Sequence, residues 1–160
     1  IAFIGGPEGN FDARERLRGY RDAMARFVPD AKPQEFPGDF SESSGYEAGK
    51  RIAQSAEKPQ AVFAANDMMA LGCLYAFNEA GVRVPHDVAL AGFDDIPLAR
   101  FVHPTLTTMR VSIAELGGQA MGRLLDAIES DGARVAPSAM LIPELIVRAS
   151  SGGESHHSRT

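Results

Sequence analysis

Apolar positions along the chain fall into two kinds of grouping. Short continuous runs at residues 1–5, 61–65 and 88–93 stop abruptly, the first at Gly5-Gly6-Pro7, the second at Asn66-Asp67 and the third at Asp94-Asp95. Strands covered on both faces read as such unbroken apolar runs. Between the runs, apolar residues recur at helical spacing. Leu17, Tyr20, Met24 and Phe27 mark one face of a helix over residues 12–27, which Pro29 and Pro33 end. A short strand at Gln34–Phe36 and a Pro37-Gly38 turn follow. Ser41 or Ser43 can cap a second helix running to about residue 56, with Tyr46, Gly49, Ile52 and Ala53 inward. A third helix spans residues 67–80 and closes at Gly81. Strands alternating with helices predict βαβ units, hence an α/β fold with a parallel sheet and helices on both faces. Ligands of open sheets of this kind sit at the carboxyl ends of the strands.

The third helix is unusual because Met68, Met69, Leu71, Cys73, Leu74, Tyr75 and Phe77 surround its axis. A helix apolar all round must be buried all round. One face meets the sheet. Met68, Leu71 and Tyr75 then require another cover, for which a second subunit and the same lobe both serve. Beyond Pro104 a strand is expected at residues 106–110. A helix follows over residues 113–130 with Ile113, Leu116, Ala120, Leu124 and Ile128 on one side. Asp131-Gly132 turns the chain, and residues 140–147 form a late strand interrupted by Pro143. The Ser/Gly/His-rich residues 150–160 read as a disordered tail.

Composition narrows the function classes. One hundred and sixty residues suffice for a domain with a real core. The net charge is −5 and no Lys/Arg cluster occurs, so this segment is not expected to grip DNA itself. The single Cys73, in an apolar helix, reads as a small buried hydrophobe in a reducing compartment. No run approaches the roughly 18–20 apolar residues of a membrane span. The chain opens on Ile1 with a buried-strand pattern, which is expected of a piece of a longer protein.

Enzyme chemistry finds little footing. The histidines are His86, His103, His156 and His157; the first two do not end strands, the last two lie in the tail, and no Gly-x-Ser-x-Gly elbow is present. GGPEGN is neither a Walker A loop nor a GxGxxG pattern and reads as a tight strand-to-helix turn. Asp94-Asp95 alone makes a poor metal cage, and Asp95 is better suited to bracing the following loop. No metal or cofactor is expected. A binding reading is better served. A carboxylate accepts from vicinal hydroxyls, a guanidinium donates in a fork, an amide does both, and an aromatic face covers an apolar side. Asp94, Arg16, Asn66 and Phe40 supply these groups, with Asn10 and Asp12 at the mouth of the first helix as further candidates. Plainer roles stay open. Arg16 has Asp12 as an i,i+4 partner for a surface ion pair, Asn66 can simply cap its helix, and Phe40 alone fits a core.

The strings AANDMMALG, AGVRVPHDVALAGFDD and HPTLTTMR, with IAFIGGPEGNFDARERLRGY upstream, resemble the effector-binding core of lactose-repressor-type (LacI/GalR) transcription regulators over roughly residues 1–149. The resemblance implies a type I periplasmic-binding-protein-like fold of two lobes. On that basis residues 1–104 are most of the C-terminal lobe, 105–135 cross to the N-terminal lobe, and 136–149 return. It implies a small polar effector, a sugar or polyol-like molecule in class, held by Arg16, Phe40, Asn66 and Asp94. It also implies a homodimer through the helix bearing Met68, Leu71 and Tyr75, operator DNA bound by a helix-turn-helix outside this chain, and a cytoplasmic repressor. Asp12 departs from the small hydroxyl residue often found there, and either neutralises Arg16 or selects a ligand richer in donors. The competing expectation is a periplasmic sugar-binding protein of a transport system, with the same architecture.

Overall fold

The structure is a computed structural model that describes residues 1–130 and 141–153. Six strands form one sheet: β1 (Ala2–Ile4), β2 (Gln34–Phe36), β3 (Ala61–Ala64), β4 (Ala89–Phe93), β5 (Thr107–Arg110) and β6 (Glu144–Ile146). Their order is β2-β1-β3-β4-β5-β6. The first five run parallel and β6 pairs antiparallel with β5, which makes the sheet mixed at that edge. The chain leaves β1 for β2 on one side and returns to β3 on the other, so a switch point opens between the carboxyl ends of β1 and β3.

Four helices connect the strands: α1 (Phe11–Phe27), α2 (Glu42–Gln54), α3 (Asp67–Glu79) and α4 (Ile113–Glu129). Each begins at a side-chain cap that satisfies an orphan backbone N–H: Asn10, Ser41, Asn66 and Ser112 in turn. Gly81, at φ +69°, closes α3 in a left-handed turn.

Strand alternation sets the two faces of the sheet. Phe3 and Phe63 pair across β1 and β3, and Phe3 stacks on Tyr20 of α1 with centroids 5.1 Å apart. The neighbouring positions Ala2, Ile4, Val62, Ala64 and Leu90 point the other way and are buried in the same core as α2 and α3. Cover is uneven. On the α1 side, Phe63 and Phe93 line an apolar cavity of about 400 Å³ with Tyr20, Met24 and Phe27. Phe27, expected inward, ends its helix exposed.

The second cover of α3 comes from within the chain. Here α2 lies against it at glycine contacts. A Cβ at Gly45 would stand 2.1 Å from the Met69 carbonyl oxygen, and one at Gly72 would stand 1.9 Å from that of Glu42. Without side chains at these positions the backbones approach until Ala70, Cys73, Leu74 and Phe77 are all buried. Leu71 is only 8% exposed in the single chain, so the chain itself covers most of this side chain. Tyr75, at 57%, and Met68 do remain at the surface, beside Leu98 of the 3-10 turn Pro97–Arg100, whose C-cap Phe101 is also exposed.

The segment expected to cross to another lobe from residue 105 begins as β5, which is an integral strand of this sheet. The helix that follows, α4, buries none of its side chains. Within the segment expected to return, at residues 136–149, Glu144–Ile146 form β6, and residues 131–140 lie outside the described residues. The tail expectation fails at its start. Ala149–Ser151 form a 3-10 turn, and the fully buried Ser150 donates its hydroxyl to the Leu90 carbonyl at 2.6 Å. Residues 154–160, with His156 and His157, lie outside the described residues.

Candidate functional site

The carboxyl ends of β1, β3 and β4 bring Arg16, Phe40, Asn66 and Asp94 together. Arg16, one turn and a half into α1, is the centre. Its Nη1 donates to the Ala65 carbonyl at 2.5 Å and its Nη2 to Asp94 Oδ1 at 3.4 Å. The guanidinium lies over the Phe93 ring at 3.9 Å from its centroid, with the Phe40 ring at 5.8 Å. A cation held between aromatic faces and a backbone carbonyl is fixed in orientation. The partner of Arg16 is thus Asp94, across the sheet edge. Asp12, the i,i+4 candidate, forms no ion pair among the described residues.

Phe40 and Asp94 both have positive φ, at 71° and 113°, a region that costs free energy for residues other than glycine. Each is held there by its surroundings. Asn66 Nδ2 donates to the Phe40 carbonyl at 3.0 Å while Asn66 Oδ1 caps α3 on the Met69 N–H. Asn66 thus caps its helix and, with its amide N–H, also braces the Phe40 turn. Gly6 makes room for the Phe40 ring, whose edge stands 2.5 Å from where a Cβ would lie. So the Gly5-Gly6 turn also shapes the aromatic wall. Asn10 uses its side-chain oxygen to cap α1 on the Ala13 N–H, and Asp12 stands exposed in the first turn.

Electrostatics set the carboxylates apart. Burial raises the Asp94 pKa against the lowering charge of Arg16, and the Asp12 charge raises it further. A sequence reading missed Asp67. It is fully buried beneath the site, accepts from the Thr108 hydroxyl at 2.6 Å and the Ile96 N–H at 3.0 Å, and is raised by burial to about 6. Gly92 is required there, since its Cβ would stand 2.2 Å from Asp67 Oδ1. That glycine, before Phe93-Asp94-Asp95, was the available clue to a close approach. Asp95 turns away from Asp94 to three arginines, Arg100, Arg110 and Arg148. The arrangement is a set of hydrogen-bonding groups with an aromatic wall, suited to a small polar molecule. Among the described residues no cluster of His, Cys, Asp or Glu could hold a metal ion. Burial also pushes the Cys73 thiol up to about 12, so it is inert.

Comparison with known proteins assigns the family. The periplasmic binding protein-like domain family matches residues 1–151. The chain belongs to this family. Its relatives include the HTH-type transcriptional repressor PurR of Haemophilus influenzae, 38% identical over 153 residues, covering 94% of this chain and 46% of the relative. The ribose operon repressor of Escherichia coli is 43% identical over 131 residues, covering 80% of this chain and 39% of the repressor. Among solved structures, the lac repressor dimer bound to operator and the anti-inducer ONPF superposes with a TM-score of 0.85 at 32% identity, over 94% of this chain and 52% of that one. The chain therefore spans about half the length of the proteins it matches. These relatives are transcriptional repressors rather than enzymes. The family's fold agrees with the mixed six-stranded sheet seen here. No helix among the described residues is long and apolar enough to cross a membrane.

Proposed function

We infer that this chain is the effector-sensing lobe of a bacterial transcriptional repressor, and that the strand-end site takes a sugar or a similar small polar molecule. The observation that carries this reading is Arg16, stacked on Phe93 and paired with Asp94 at the switch point of the sheet. Arg16, Asn66 and Asp94 hydrogen-bond the effector, Phe40 covers its apolar side, and Asp12, which pairs with no cation among the described residues, adds an acceptor at the rim. Asn10 contributes through the shape of the α1 terminus, since its oxygen is committed to the cap. In the whole protein, ligand changes the closure of two lobes and so repositions a DNA-binding head outside this chain. The protein works in the cytoplasm. That the relatives are repressors supports this reading over a transport protein.

The exposed Met68, Tyr75, Leu98 and Phe101 form the twofold contact of a homodimer, with Leu71 packed beneath. Sedimentation of the whole protein tests this: Met68→Glu with Tyr75→Glu is expected to give folded monomers, and an unchanged dimer would refute it. The effector reading is tested by thermal shift of the whole protein against neutral monosaccharides, D-ribose among them. Ligand at about 100 times its Kd adds about 2.7 kcal/mol, a shift of several degrees. A flat response across the panel, with a shift instead for sugar phosphates or carboxylates, would overturn the ligand class.

A further inference from the structure

Asp95 is buried to 2% in its side chain, yet it sits beside a ligand residue and its partners come from three separate parts of the chain. Its Oδ2 accepts from Arg110 Nε at 2.7 Å and from Arg100 Nη2 at 3.4 Å. Its Oδ1 accepts from Arg148 Nη2 at 2.5 Å. Arg110 ends β5, the strand that leads into α4. Arg148 follows β6, the strand that returns from it. Arg100 ends the 3-10 turn that carries Leu98 and is capped by Phe101.

The same two crossing segments are bound to each other around this carboxylate. Arg148 Nη1 donates to the Leu106 carbonyl at 2.7 Å, and the Arg148 N–H donates to Thr107 Oγ1 at 2.8 Å. Ser150 Oγ accepts from the Thr107 N–H at 2.8 Å while donating to Leu90 in β4. On the other side of the carboxylate, the Asp94 N–H donates to the Met109 carbonyl at 2.8 Å, and the Asp95 N–H to Thr108 Oγ1 at 3.3 Å. Asp94 and Asp95 both have positive φ, 113° and 51°. Two adjacent non-glycine residues persist in that region only where the surroundings over-determine them. Here the surroundings are mostly the two crossing segments.

We propose that Asp95 is a positioning residue: anchored by Arg110 and Arg148, it holds Asp94 in its ligand-meeting conformation and ties the occupancy of the site to the two segments that lead to and from α4. Such a tie is a shared, discrete arrangement that both ends bias. The proposal rests on the effector reading given above. It assigns to Asp95 a role separate from ligand contact, since its carboxylate faces arginines rather than the site.

The test uses the whole protein and D-ribose as the probe. Asp95→Asn keeps the shape and removes the charge; Arg110→Gln removes one anchor and leaves the carboxylate, in case the first variant folds poorly. By calorimetry, Asp95→Asn is expected to weaken D-ribose binding by about tenfold in the native background and by almost nothing on top of Asp94→Ala, because it acts through Asp94. Equal losses in both backgrounds would overturn the proposal. Hydrogen exchange gives a readout that needs no ligand. In either variant, amides of residues 94–96 and 148–150 are expected to speed up together, with those of α1 and α2 unchanged. A rise at only one of the two segments would overturn the tie. Should neither D-ribose nor any other monosaccharide bind the native protein, the effector reading fails by itself, and the exchange result still decides for or against the tie.

Discussion

Helices α3 and α4 both carry more apolar residues than one sheet face needs, and their fates differ. In α3 nine of thirteen residues are buried. In α4 none of seventeen is, and Ile113, Leu116, Met121, Leu124, Leu125 and Ile128 stand exposed. The difference lies in the neighbours. Glycines at 45, 49 and 72 let α2 close over α3, at Cβ-to-backbone separations no larger residue could tolerate. Glycines 117, 118 and 122 of α4 have nothing within 4 Å of a Cβ position. An apolar pattern states that a face needs cover. It does not state which element supplies it.

The largest effect is expected where the α3 cover is tightest. Gly45→Ala forces a methyl onto the Met69 backbone and is expected to cost roughly 3 kcal/mol or more in urea unfolding of this chain. A loss under about 1 kcal/mol would mean that the two helices are not held as close as described. The counterpart in α4 is Leu124→Ser. In this chain it is expected to change stability by no more than about 0.5 kcal/mol. In the whole protein, where the proposed second lobe covers α4, the same change is expected to cost about 2 kcal/mol or more. Equal small effects in both would show that α4 stays uncovered.

A smaller, pH-dependent effect comes from Asp67, under the α3 N-terminus. Its pKa is raised from 3.8 to about 6, chiefly by burial. The folded state therefore holds the proton more tightly than the unfolded state. The resulting stabilisation is full below about pH 4 and is lost as pH rises through about 6. Asp67→Asn removes this dependence, so the native chain should lose stability relative to the variant between pH 4 and 7, by about 1 kcal/mol or more. Parallel pH curves for the two would place the Asp67 proton elsewhere.

Much of the frame was legible before any coordinates. The strands at 61–65 and 88–93 and the helices at 12–27, 67–80 and 113–130 fall within a residue or two of their observed bounds, because continuous apolar runs and 3.6-residue spacing report burial directly. Arg16 and Asp94 were singled out by a family pattern, but the sequence offered Asp12, not Asp94, as the partner of Arg16. Other features depend on contacts between distant parts of the chain. The close approach of α2 to α3 was not legible, since glycines in both helices set it. Ser150 looked like tail, yet bonds a strand sixty positions earlier. The Asp95 anchor joins residues up to fifty-three positions apart, a spacing no local pattern encodes. Beta-6 is three residues long and antiparallel, so periodicity could not fix its direction.

The central claim is that the strand-end cluster around Arg16 and Asp94 is the effector site. The most direct measurement is calorimetric titration of the whole protein, and of its Asp94→Ala and Arg16→Ala variants, with the monosaccharide that gives the largest thermal shift. Each substitution is expected to weaken binding by about 1–3 kcal/mol, roughly 5- to 150-fold, by leaving a polar partner unsatisfied. Unchanged affinity in both variants would contradict the account and move the site away from the ends of β1, β3 and β4.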